Sequence, residues 1–212
     1  DSIMLERMLN DNSVQAGIYA QAYRFFEASN MFAYLFAALL LPMFSRMLKL
    51  GQSIHDLVDF SFKTLMGFGL VLTLFCCFYS YEIIDLRYAN HVLDSSYIFI
   101  VLMICFLCVS STYIYGTLLT ANGNLFYLNI IAGFGVGLNI TLNIILIPKY
   151  AALGSAFASL ITQFLTGVFQ VILCYYIFKL HLRATFLRLV IFLVGIVSFL
   201  YYISYQDYTI YY

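Results

Sequence analysis

Arg24 and Glu27 stand three residues apart in a stretch that is otherwise almost wholly apolar. Ionised side chains are costly in hydrocarbon, so they ordinarily face a partner or a water-filled cavity. Tyr23, Glu27, Asn30 and Tyr34 recur at i, i+4, i+7 and i+11, the spacing of one helix face. Arg24 lies beside that face, within i,i+3 reach of Glu27. One reading is a polar stripe lining a cavity, with Arg24 available to an anionic group. The other is a local ion pair near the membrane interface, with Arg24 snorkelling to water. A second polar set lies further along. Asn139 and Asn143 are four residues apart, and Ser159, Gln163, Thr166 and Gln170 share one face of the next apolar stretch. Amides and hydroxyls on neighbouring helices can coordinate Na⁺, hydrogen-bond a sugar, or simply hydrogen-bond one another.

Other chemistry finds little footing. His55, His91 and His181 are isolated and near expected loops. No nucleophile elbow, phosphate-binding loop or H-E-x-x-H is present, and the chain is expected not to be an enzyme. The five cysteines, Cys76, Cys77, Cys105, Cys108 and Cys174, all lie in apolar stretches. An odd number there makes a poor disulfide framework, and a small hydrophobic role is expected instead. Gly133 and Gly137 suit close helix packing, as do Gly154 and Ala158. No cofactor and no resident metal is expected.

These residues need elements to hold them. Hydrophobic residues make up 64% of the 212 and charged residues 9%, against about 25% charged in soluble domains. The solvent for so much apolar surface must be lipid. A formal net charge of zero argues against a nucleic-acid partner. A spanning helix needs about 20 apolar residues, and six stretches qualify: 17–44, 62–81, 96–118, 125–147, 152–178 and 186–205. An all-α, polytopic helical bundle is expected, because helices satisfy their own backbone groups in lipid. Pro42 and Pro148 are expected at helix ends. Asn122-Gly123 and the link from Pro148 to Ala152 mark turns. The segment from Ser45 to Phe60 alternates apolar and polar residues and suggests a short amphipathic helix on the membrane surface. If all six stretches span, Arg46, Lys49, Lys63, Lys179, Arg183 and Arg188 collect on one side, and Arg7, Arg87 and Lys149 on the other. The basic side is expected in the cytoplasm. Residues Asp1 to Asn12 are polar, unlike a cleavable signal peptide, and the absence of Met at position 1 leads to the expectation of a fragment.

Several stretches resemble the polysaccharide-exporter branch of the multidrug/oligosaccharidyl-lipid/polysaccharide flippase superfamily. Asp1-Ser-Ile-Met-Leu and Ala16-Gly-Ile-Tyr-Ala-Gln-Ala-Tyr-Arg24 look like the opening of that family's second half. Leu41-Pro-Met-Phe-Ser-Arg46, Glu82-Ile-Ile-Asp-Leu-Arg-Tyr88, Gly116-Thr-Leu-Leu-Thr-Ala-Asn-Gly123, Asn139 to Pro148 and Tyr150 to Ser159 follow in the family's order. The resemblance implies one lobe, 1–212, of a MATE-like two-lobed transporter, with the N-terminal lobe absent. It implies alternating access for an oligosaccharide on undecaprenyl pyrophosphate in the bacterial inner membrane, coupled to H⁺ or Na⁺. Membrane lipids, the polysaccharide polymerase and glycosyltransferases are the implied neighbours. It also implies a substrate cavity at Arg24, Glu27, Tyr23, Asn30 and Tyr34, and an ion site resembling that of lipid II flippases at Asp1, Asn139, Asn143 and Ser159. Asn143 stands where that family has a carboxylate. A drug or cation antiporter, a membrane enzyme of the same pathway and a non-transporting subunit are the alternatives.

Overall fold

A computed structural model describes residues 2–8, 12–180 and 195. About 90% of the described residues are helical, and none lies in a strand. The elements are α1 (Ser2–Met8), α2 (Asn12–Lys49), α3 (His55–Phe78), α4 (Ser80–Asp85), α5 (Val92–Ala121) and α6 (Leu125–Phe178). Four of these, α2, α3, α5 and α6, are long and apolar enough to cross a membrane. The chain divides into two compact units, Asp1–Cys174 and Tyr175–Tyr212.

Within the first unit α5 is the central helix. Every residue from Val101 to Leu107 is buried, as expected of a helix that is apolar all round and covered on several sides. Helix α2 packs along it in parallel. Ser95 meets Gln21, Phe99 meets Phe25, and Met103 meets Ser29, each pair separated by 74 residues. The buried face of α2, including Tyr19, Ala22, Phe26, Ser29, Ala33, Ala37 and Leu40, follows the helical three-and-four spacing. Helix α3 runs antiparallel to α5: Thr73 donates to the Met103 carbonyl at 3.1 Å, and the Phe62 and Tyr115 rings lie 6.2 Å apart. Between these two contacts Gly69 permits close approach, since a Cβ there would lie 3.0 Å from Leu107 Cδ2.

Two turns are dictated by glycine. At the end of α2, Gly51 has φ 65°, the Gly51 N–H donates to the Leu48 carbonyl and the Gln52 N–H to the Met47 carbonyl. This pairing is a Schellman cap. The same pattern ends α5, where Gly123 has φ 79° and the N–H groups of Gly123 and Asn124 bond the carbonyls of Thr120 and Leu119. The Asn122-Gly123 turn therefore stands where the sequence places it.

The expected fourth and fifth spans belong to α6, whose 54 residues break at Ala151 (φ 49°, ψ −130°). An unbroken helix of that length would reach about 80 Å, far beyond a bilayer core of about 30 Å. The chain folds back instead. A Cβ on Gly154 would lie 2.5 Å from the Leu146 carbonyl oxygen, and one on Gly135 would lie 2.8 Å from Thr166 Cγ2. These pairings make an antiparallel hairpin of two arms, 125–150 and 152–178. The second arm also lies on α5, where the Cys174 thiol reaches the Tyr115 carbonyl at 3.6 Å and a Cβ on Gly167 would touch Thr112.

Two expectations need correction. No separate amphipathic helix covers 45–60: α2 continues to Lys49, the Gly51 cap ends it, and α3 starts at His55. Pro42 lies inside α2 and Pro148 inside α6, rather than at helix ends. In the region expected as the outward loop, α4 forms a short helix. The expected sixth span, 186–205, lies outside the described residues, as do His181, Arg183, Arg188 and Asp1.

Candidate functional site

Two polar regions stand out, and the sequence names residues in both. The first is the face of α2. Tyr23, Arg24, Glu27 and Tyr34 are all exposed, and Asn30 is half-buried. The expected stripe thus forms one continuous face, beside the seam with α5. The rings of Tyr19 and Tyr23 stack at 5.6 Å, and Tyr34 meets Tyr113 of α5 edge-on at 6.3 Å. Glu27 lies close enough to act electrostatically on Tyr23. No ion pair joins Arg24 to Glu27; among the described residues, ion pairs occur at Lys63–Asp59 and His91–Asp94. The Asn30 Oδ1 is buried and has no hydrogen-bond partner. Below the charged turn, α2 is exposed and apolar: Met31, Phe32, Leu35 and Leu39 are each more than half exposed. Such a face suits lipid.

The second region is the α6 hairpin. A cleft of about 440 Å³ opens between its two arms, bordered on α5 by Thr112. Its walls differ. The first arm supplies mostly aliphatic side chains, among them Leu128, Ile131, Val136 and Ile140. The second arm supplies Ser159, Thr162, Gln163, Thr166 and Gln170. No ionisable side chain lines the cleft. Hydroxyls in apolar helices usually bond a carbonyl one turn back. Thr166 does so to Thr162 and Gln163 at 3.0 and 3.1 Å, as do Ser29, Ser110 and Thr141. Thr162 departs from this pattern: its Oγ1 is buried without a partner, and so is the Gln170 Oε1, in an amide lying against Gly116.

The expected ion-site residues are only partly brought together. The Asn143 amide donates to the Asn139 carbonyl at 3.0 Å and to Asn139 Oδ1 at 2.9 Å. Asn143 is fully buried, while Asn139 and Ser159 line the cleft. Ser159 also hydrogen-bonds the Tyr19 hydroxyl from α2. These donors are neutral oxygens, and no cluster of three His, Cys, Asp or Glu occurs among the described residues. A hard cation favours more carboxylate ligands than this set offers.

Three contributors were not singled out from sequence. Gln15 accepts from the Ala152 N–H at 3.4 Å, which serves a donor that the break at Ala151 frees. Only the fold reveals that link across 137 residues. Tyr113 joins the α2 face from another helix. Thr162 had a readable signal, since it stands three residues after Ser159 and four before Thr166, on the same face. No protein-family model, curated protein or solved structure matches the chain.

Proposed function

We propose that the chain is one lobe of a MATE-like flippase. It moves undecaprenyl-pyrophosphate-linked oligosaccharide repeat units across the bacterial inner membrane, for O-antigen, capsule or exopolysaccharide synthesis. The observation that carries the reading is the placement of Arg24 and Glu27. Both sit on the uncovered face of a membrane-length helix, and no hydrogen bond or ion pair joins them to a described residue. Lipid is a poor solvent for such a face, so water, cargo or a second lobe must meet it. Arginine suits a pyrophosphate, because its planar fork bonds two oxygens at once. Glu27 neutralises Arg24 when no cargo is bound, or takes up the coupling proton. The pattern of stretches resembling the polysaccharide exporters supports the same reading, with Arg46 and Lys49 at the cytoplasmic end of α2.

The test is Arg24→Ala in the intact protein. Surface polysaccharide is expected to fall by about tenfold or more, the worth of one charge-assisted contact, at unchanged protein level. Normal polysaccharide removes Arg24 from the mechanism. A second reading, a cation antiporter, draws on Glu27 beside the tyrosine rings, which also favour cations. Efflux of a cationic dye separates the two.

A further inference from the structure

The α6 cleft has features that the flippase reading leaves unused. Its volume of about 440 Å³ falls within the range of small-molecule sites, about 300–1,000 Å³. Its lining carries no charge, so neither an anion nor a cation finds a counter-ion there. A bare acyl chain fits poorly as well, since one wall is a row of hydroxyls and amides whose desolvation it would leave uncompensated. Two buried polar atoms, Thr162 Oγ1 and Gln170 Oε1, have no partner in the protein. Leaving such groups unsatisfied is costly. The occupant that answers all of these features is neutral, rich in hydrogen-bond donors on its rim and apolar on its faces. A pyranose ring has that character: hydroxyls meet the second arm, and C–H faces meet the aliphatic first arm.

We propose that the cleft between the arms of α6 seats one neutral sugar residue of the cargo, held by Thr162 and Gln170. This rests on the flippase reading and adds a second contact point, distinct from the charged face that takes the pyrophosphate. Thr162 and Gln170 act as binding residues, each accepting from a sugar hydroxyl. The arrangement also separates binding from stability. A buried hydroxyl with no partner destabilises the empty fold, so its isosteric replacement by a methyl group stabilises the protein while weakening the ligand.

The experiment uses the intact protein in lipid nanodiscs and saturation-transfer NMR. The probes are a free hexose, a free N-acetylhexosamine and a free 6-deoxyhexose, each at millimolar concentration. At least one sugar is expected to give a signal above that of empty nanodiscs. Thr162→Val and Gln170→Leu are each expected to weaken it about tenfold, the loss of roughly one hydrogen bond. Thr162→Val is expected to melt at or above the native temperature. No signal from any of the three sugars overturns the proposal. An undiminished signal in both variants does the same, as does a lower melting temperature in Thr162→Val, which marks a structural hydroxyl. Loss of radioactive Na⁺ binding in the variants, with sugar binding unchanged, also overturns it in favour of an ion site. Surface polysaccharide measured in the same strains keeps the two readings apart. Export by the native protein without a sugar signal sinks the seat alone. A sugar signal that responds to the variants, with export unaffected by Arg24→Ala and by both variants, leaves a sugar site and sinks the flippase reading.

Discussion

The face of α2 and the cleft of α6 are both polar, yet they solve opposite problems. The α2 face carries a full charge of each sign and lies open, with nothing in the described chain covering it. The α6 cleft carries no charge and is walled on three sides by helices. In lipid the open charges demand an outside partner, whereas the enclosed amides and hydroxyls demand a small guest or water. A cargo with a charged head and a neutral body would use both. The difference teaches that polarity in a membrane helix has to be divided into charge and hydrogen-bonding capacity before it says what is bound.

The largest effect should come at the charged face. Arg24→Ala is expected to cut export about tenfold or more while leaving stability untouched, because the side chain makes no internal contact to lose. A drop in melting temperature would erase the contrast, by making Arg24 structural. At the hairpin the order reverses, and stability moves first. Gly154→Ala brings a Cβ to 2.5 Å from the Leu146 carbonyl oxygen, and a backbone atom cannot step aside cheaply. A loss of about 3 kcal/mol is expected, at the upper end of overpacking costs, read by thermal unfolding in detergent. An unchanged midpoint would mean that the arms do not meet there.

Glu27→Gln sharpens the comparison by removing charge while keeping shape. Transport in reconstituted vesicles is expected to lose its dependence on the proton gradient; an unaltered response across a pH series would leave Glu27 as a mere neighbour of Arg24. The smallest effect is at the break. Ala151 holds φ at 49°, a conformation that costs a non-glycine residue about 1–2 kcal/mol. Ala151→Gly is therefore expected to stabilise the hairpin by about 1 kcal/mol, with no change at the α2 face.

Much of this architecture was legible because apolar helices declare themselves by length. The first three spans lie within or close to α2, α3 and α5, and the glycine turn at Gly123 followed from Asn122-Gly123. Tyr23, Glu27, Asn30 and Tyr34 share a face because helical spacing is local. What the sequence concealed is relational. The alternation between Ser45 and Phe60 suggested a surface helix, but the Gly51 cap divides that stretch between two long helices. Gln15 serves Ala152 across 137 residues, and no local pattern announces such a pair. Thr162 shares a face with Ser159, Thr166 and Gln170, yet its special status comes from the hydrogen bond it fails to make. That failure is a property of rotamer and packing, and residue spacing does not encode it.

The most direct test is aqueous labelling of single cysteines in the intact protein, in a background without Cys76, Cys77, Cys105, Cys108 and Cys174. Arg24→Cys and Glu27→Cys are expected to react with a charged, membrane-impermeant thiol reagent, and to be shielded when lipid-linked oligosaccharide is supplied. Leu39→Cys, on the apolar part of the same helix, is expected to stay silent. Protection of positions 24 and 27 throughout the transport cycle would contradict the account, because it would leave the charges of α2 without the watery passage that explains them.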